Sequence, residues 1–232
     1  MTSETIHRLP IFSDISAGAE AILPSVIPTK SGSECVTHLS ALLAAARIDD
    51  ADVIAQRLVE EFGSLGAVMA GSHARQLRVA KCDKAVSIIR QINSAFRHAL
   101  KAEIYLNPVV SNTESLRDYL FIQMAFEKSE HIRLLYLNGG DRVVRDEIEN
   151  RGSIDSVEFH VREIIVRALE LGASKIIVVH NHPSGDPRPG RNDISRTNCL
   201  IDACRPLGIH VVDHLIVGRL GVRSLRESGA IR

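Results

Sequence analysis

Residues 176–195 read IIVVHNHPSGDPRPGRNDIS. Four branched apolar residues, Ile176 to Val179, run straight into His180, Asn181 and His182. Such a run fits a strand buried on both faces, in a sheet covered by helices. In extended backbone the side chains at i and i+2 share a side, so His180 and His182 can converge on one point. Pro183, Gly185, Pro187, Pro189 and Gly190 then turn the chain back, and Asp193 follows in the first turn of a helix. Two imidazoles and one carboxylate make three ligands. A catalytic zinc site uses that number and leaves its fourth position to water. The His-x-His pair alone is a weak signal, and Asp193 alone reads as a helix N-cap. Both roles coexist if one carboxylate oxygen faces a metal and the other the helix terminus. The joint pattern is far more specific than its parts.

Working outward, DISRTNCLIDACRPLGI reads as a helix closed by Pro206 and Gly208, and HVVDHLIVG as a further strand. Upstream, SLRDYLFIQMAF is a helix. HIRLLYLNGGDRVVRDEIEN is two strands joined at Asn138-Gly139-Gly140-Asp141, and VEFHVREIIVRALELGA is a helix ending near Gly172. Alternating helices and strands over residues 114–232 predict one α/β or α+β domain. Residues 34–104 differ in texture: apolar positions recur at helical spacing (Leu39, Leu42, Leu43; Ile54, Leu58, Phe62; Ile88, Ile89, Ile92), and Gly63 stands where a helix would stop. They predict a small all-helical domain. Residues 105–113, with Asn107-Pro108, read as a linker, and residues 1–33 as a loosely ordered arm.

Bulk composition narrows the function classes. Lys plus Arg and Asp plus Glu both number 28, so no global field draws the chain to nucleic acid or membrane. No apolar run approaches the roughly 18–20 residues of a membrane span, and the N-terminus lacks a basic segment followed by an apolar core. Four scattered cysteines, Cys35, Cys82, Cys199 and Cys204, form no CxxC pair, which fits reduced thiols in the cytoplasm. Cys199 and Cys204 are read as packing residues, and His214 as a strand histidine satisfied by hydrogen bonding.

The segment VVHNHPSGDPRPGRNDI resembles the HNHPSGDP…D motif of the RadC family, a bacterial branch of the JAMM (MPN+/JAB1) metalloprotease fold. LGIHVVDHLIVG and SLRESG are similar to that family's closing strand and tail, and residues 42–71 to its helical N-terminal region. The resemblance implies a cytidine-deaminase-like JAMM/MPN α/β sandwich, with Zn2+ held by His180, His182 and Asp193. It also implies a general base, Glu130, just before HIRLLYLN, with Glu127, Glu147 and Glu149 as rivals for that role. The activity implied is amide hydrolysis on a protein or peptide substrate. One residue departs from the pattern: Gly190 stands where the superfamily has a Ser three residues before the ligand Asp. Losing one oxyanion donor typically costs about 10²–10³ in kcat. Metal binding is expected to survive the change.

The helical region resembles helix-hairpin-helix modules, whose Gly-x-Gly turn brings backbone N–H groups to phosphate. Here Ala80-Lys81-Cys82 replaces that turn. Between Ser72 and Lys101 seven basic residues face one acid, Asp83, so DNA is a candidate partner through segment 72–101. Two readings follow. One is a JAMM-type zinc hydrolase. The other is a DNA-repair accessory protein whose metal site is structural or catalytically weak, closed by a fourth ligand such as His160, His210, His214 or Cys204.

Overall fold

A computed structural model describes residues 32–110, 113–149, 152–153, 156–157 and 160–232. The arm expected at the N-terminus therefore lies outside the described residues up to position 31. Five helices come first: α1 (Gly32–Ala45), α2 (Ala51–Phe62), α3 (Leu65–Ala70), α4 (His73–Ala80) and α5 (Asp83–Leu106). Their apolar faces meet in one cluster built on Leu39, Leu43, Leu58, Val68, Val86 and Ile89. Gly63 ends α2 as the sequence suggests. Its φ of 85° is left-handed, and its N–H closes on the Val59 carbonyl at 2.7 Å. Ser64 and Ser72 cap α3 and α4 with their hydroxyls.

The long helix α5 joins the two halves. Its first turns bury Ala85, Val86 and Ile89 among the helices, while Ile104 near its end belongs to the core of the sheet. The helix reaches Leu106, two residues into the stretch read as linker. Tyr105 packs against the sheet core, and that contact continues the helical pattern.

The second half is a five-stranded mixed sheet in the order β2-β1-β5-β6-β7. Its strands are β1 (Ile132–Leu137), β2 (Val143–Glu149), β5 (Lys175–Asn181), β6 (His210–Gly218) and β7 (Gly221–Ser224). The short pair β3 (Gly152–Ser153) and β4 (Ser156–Val157) stands apart from it. The hairpin expected at 138–141 joins β1 and β2, with Asp141 in the left-handed region at φ 62°. Between β5 and β6 the pairing is parallel.

Alternation sends Leu135, Leu137, Ile177 and Val179 toward α5 and α6 (Thr113–Met124). Leu134, Tyr136, Ile176 and Val178 face α7 (Val161–Glu170) and α8 (Arg191–Cys204) instead. The result is an α+β sandwich with a sheet between two helical layers, as the pattern of β5 demands. α7 starts at Val161, later than the expected start at Val157, because Ser156 and Val157 pair with Ser153 and Gly152. Among the described residues no helix is long and apolar enough to cross a membrane.

Candidate metal centre

Strand β5 delivers His180 to the sheet face covered by α8, and His182 follows just beyond the strand end. The tight loop that comes next is held on both sides. Arg219 donates from Nη1 to the Pro183 carbonyl at 2.9 Å and from Nη2 to the Ser184 carbonyl at 2.5 Å. Gly185 turns with φ +96°, and its carbonyl lies so close to Gly218 that a Cβ there would sit 2.4 Å away. Those two glycines let the loop lie flat on the end of β6. Ser184, which carries the loop's hydroxyl, is exposed and its Oγ accepts the Asp186 N–H at 3.4 Å, within its own turn.

Asp193 arrives from the first turn of α8, as expected, but it is not the N-cap. Gly190 takes that place, and Asp193 reaches back from the third helical position, with Oδ2 accepting the Gly190 N–H at 2.7 Å. The carboxylate answers the free donors of the helix terminus from inside the helix. Its other oxygen, Oδ1, lies 3.6 Å from His180 Nε2, while Oδ2 lies 3.8 Å from His182 Nε2. The two Nε2 atoms are 2.8 Å apart. Ligand atoms of these three residues all fall within 4.8 Å of one another, the one such convergence of His, Cys, Asp or Glu among the described residues. His160, His210 and Cys204 do not join it.

The donor set fits a cation. His182 Nδ1 lies 2.8 Å from the Asp186 carbonyl, which can only accept, so the ring proton belongs on Nδ1 and Nε2 carries a lone pair. His180 Nδ1 faces His214 Nε2 at 2.7 Å, a ring nitrogen that donates or accepts according to its own tautomer. Two lone-pair nitrogens at 2.8 Å repel unless a proton or a cation sits between them. A tetrahedral ion with ligands at about 2.0–2.2 Å has ligand–ligand edges of about 3.3–3.6 Å. The edge from His180 to Asp193 Oδ1 already matches, and the His–His edge needs to open by about half an ångström.

Electrostatics agree. Burial pushes His180 down to about 4, with the Asp193 carboxylate opposing and His182 adding to the fall. His182 moves up, chiefly through Asp193, against its own burial. Burial would raise Asp193, but His182, His180 and the Gly190 N–H hold it down to about 2. His182 is therefore the group of the cluster that takes up a proton most readily, and a metal would compete with that proton.

Glu130 stands at the edge of this cluster. Partial burial raises its carboxyl above the ordinary value, Asp193 pushes the same way, and His182 and Arg196 pull it back. Among its rivals, Glu147 is bound to Arg167 at 2.6 Å, and Glu149 pairs across the strand with Ile132. Nothing in the motif points to the residue that aims Glu130. Asn181, alternating to the opposite face from the two histidines, straddles it: Oδ1 accepts the His131 N–H at 2.9 Å and Nδ2 donates to the Ser129 carbonyl at 3.0 Å. Thr197 is a further residue of the site that motif spacing did not select, while His214 is the hydrogen-bonded strand histidine expected, set between His180 and Thr197. The one available signal was that Thr197 lies four residues after Asp193, on the same helix face.

Comparison with known proteins agrees with this geometry. Residues 110–230 match the family model of the RadC-like JAB domain. A UPF0758 protein of Rhodobacter capsulatus is 36% identical over 191 residues, which is 82% of this chain and 89% of that protein.

Proposed function

Because this chain belongs to the RadC family, and through its JAB domain to the JAB/MPN superfamily, we propose that it is a zinc-dependent hydrolase of the JAMM type, cleaving a peptide or isopeptide amide bond. One observation carries the reading: three metal-ligating groups from β5, its following loop and α8 converge, their ligand atoms within 4.8 Å of one another. No fourth side chain joins the cluster among the described residues, which favours a catalytic over a structural site. Bound there, zinc would polarise the scissile carbonyl and acidify a water.

The protein's own groups supply the rest. His180 and His182 offer Nε2, and Asp193 offers Oδ1 while Oδ2 stays on the helix terminus. Glu130 takes the proton from the attacking water and passes it to the leaving amine. A carboxyl raised by partial burial suits that task, since a base works best when its pKa lies near the working pH. Asn181 keeps that carboxylate on station through the backbone on either side of it. Gly190 brings no hydroxyl, and its N–H is engaged by Asp193, so turnover is slower than the superfamily pattern supports. The four free cysteines suit a reducing cytoplasm.

The test is metal analysis with a paired assay. Purified protein should carry about one zinc per chain, and His180→Ala with His182→Ala should remove it. Glu130→Gln should keep the zinc and lower hydrolysis of a peptide and isopeptide panel about 10²–10⁴-fold. Metal content indifferent to the double substitution would overturn the reading, as would Glu130→Gln turnover equal to wild type.

A second reading concerns the helical half. Lys81 closes α4 in the left-handed region at φ 52°, keeping the hairpin turn without its glycines. Beside it opens a cleft lined by Arg47, Arg57, Lys81 and Lys84, with Asp49 and Asp50. Of the seven basic residues expected to meet phosphate, Arg75 is instead held by Glu61 and stacked on Phe62, and Arg97 donates to the Ile122 carbonyl. We propose DNA contact through Lys81 and Lys84, joined at this cleft by Arg47 and Arg57. Duplex binding that weakens steeply as salt rises would support it, and no binding at low salt would end it.

A further inference from the structure

Behind His180 lies a buried chain that a three-ligand site does not require. His180 Nδ1 is 2.7 Å from His214 Nε2. On the far side of that ring, His214 Nδ1 is 2.5 Å from Thr197 Oγ1, which is also 2.5 Å from the backbone carbonyl of Asp193. All three side-chain groups are hidden: Thr197 is 0% exposed, His180 2% and His214 4%. We propose that Thr197 and His214 are positioning residues that decide which nitrogen of His180 is offered to a cation, and that they bind β5 and α8 into one frame around it. The inference rests on the metal reading above and adds to it a cause for the ligand's tautomer.

Each proton in the chain follows from the one before it. The Asp193 carbonyl only accepts, so the Thr197 hydroxyl donates to it, as helical threonines do to the carbonyl four residues back. The hydroxyl oxygen then accepts from His214 Nδ1–H. A neutral ring protonated at Nδ1 has a bare Nε2, so His180 Nδ1–H donates into it. That leaves His180 Nε2 with its lone pair facing His182 and Asp193. The reverse polarity is also geometrically closed. In it Thr197 donates to His214, His214 donates to His180, and the proton on His180 Nε2 points at His182, 2.8 Å away. Reversal occupies the nitrogen a cation needs. Thr197 is where the two polarities part, and the Asp193 carbonyl selects the productive one.

The fold is built to bring His214 there. Strand β6 carries a bulge: Ile176 pairs with Val211 but Ile177 pairs with Asp213, skipping Val212. Before the bulge, odd-numbered Val211 faces α7 and α8; after it, odd-numbered Leu215 and Val217 face the other layer. Without the extra residue the alternation would turn His214 away from His180. The Asp213 carboxylate fastens the bulge, accepting from the His214 N–H at 2.7 Å, the Arg226 N–H at 3.1 Å and the Ser224 hydroxyl at 2.5 Å. A cation held by His180 and Asp193 would close a ring that runs one helical turn to Thr197, then to His214 and back.

The test compares Thr197→Val with Thr197→Ser in the full chain, reading zinc affinity by chelator competition and imidazole tautomers by ¹⁵N NMR at pH 8. Removing an outer partner of a ligating histidine typically costs 10–100-fold in metal affinity. Thr197→Val should weaken zinc by about that factor, and Thr197→Ser should stay within about threefold of wild type. In metal-free wild type, His180 and His214 should both carry their proton on Nδ1, and His180 should shift toward Nε2–H in Thr197→Val. Wild-type affinity in folded Thr197→Val would overturn the proposal. So would a wild-type His180 protonated on Nε2, a result that can be read even if zinc does not bind or the valine variant fails to fold. Absence of zinc binding in wild type would instead overturn the hydrolase reading.

Discussion

The two faces of the central sheet each hide a polar cluster, and they are assembled by opposite rules. Toward α5 and α6, Arg133 Nη1 donates to both Asp146 oxygens at 2.8 and 2.9 Å and to the Tyr119 hydroxyl at 3.0 Å, while that hydroxyl donates to Asp146. Charges cancel and donors meet acceptors, although Arg133 Nε has no partner among the described residues. Toward α8, His180, His182 and Asp193 turn three metal-ligating groups toward a common point. Burial does not separate the two, for Arg133 is 7% exposed and His180 2%. Balance does. A cluster whose donors and acceptors match is architecture, and one with a surplus of lone pairs is built to receive something.

The comparison breaks most sharply at Asp146. If the Arg133 cluster is architecture, Asp146→Ala leaves a cation stranded where only 9% of its side chain meets solvent. That should cost about 3–5 kcal/mol in urea unfolding and leave zinc content unchanged. Replacing the pair together, Arg133→Met with Asp146→Leu, should recover most of the loss, because no uncompensated charge remains. A cost under about 1 kcal/mol, or loss of zinc in Asp146→Ala, would erase the distinction between the faces.

The same contrast explains how far the sequence could be read. The apolar run of β5 and the His-x-His pair are local, so the buried strand, the helix carrying Asp193 and their convergence were all visible in order along the chain. The outer chain was not. His214 reaches His180 only because β6 lies parallel to β5 with one residue skipped, and a bulge leaves no reliable mark in a run such as HVVDHLIVG. Asn181 was hidden for a different reason: its partners, Ser129 and His131, lie about fifty residues earlier. The reach-back of Asp193 to Gly190 was half legible. Helix-start preferences suggested the carboxylate, but the backbone geometry of the loop, not propensity, decided that Gly190 would be the cap.

Acidity provides a subtler probe of the same imbalance. His180 is held down to about 4, and His214 is also lowered, in both cases first by burial. In the unfolded chain each takes a proton near 6.5. A folded value below the unfolded one means that the stabilising contribution is intact above pH 6.5 and is lost as pH falls from there toward 4. For His180 alone the loss amounts to about 3 kcal/mol. His182 and Glu130, both raised, bind protons more readily in the folded state and offset part of it. Asp193, held near 2, stays charged throughout that window. Urea unfolding of metal-free protein at pH 7.5 and 5 should show the decline, and His180→Gln should flatten it. Stability that is level or rising toward pH 5 would contradict the geometry of the metal face.

The smallest expected effect lies at Gly190, where the acceptor-rich face lacks the hydroxyl of the superfamily pattern. A Cβ there would sit 3.2 Å from Asp193 Oδ2, so the carboxylate must yield a few tenths of an ångström to admit a side chain. The tendency of Asp193 Oδ2 to hold the Gly190 N–H at 2.7 Å resists that shift, while a serine hydroxyl at an N-cap position could meet the first turn of α8 in return. Since one well-placed oxyanion donor is worth about 10²–10³ in kcat, and the crowding forfeits part of it, Gly190→Ser should raise turnover on the peptide and isopeptide panel about tenfold. Zinc affinity should change little, because Oδ1 rather than Oδ2 faces His180. Unchanged turnover with zinc retained would mean that position 190 does not supply the missing donor. Lost zinc would mean that the Gly190–Asp193 contact leaves no room for it, and that glycine is what lets the carboxylate face the two imidazoles.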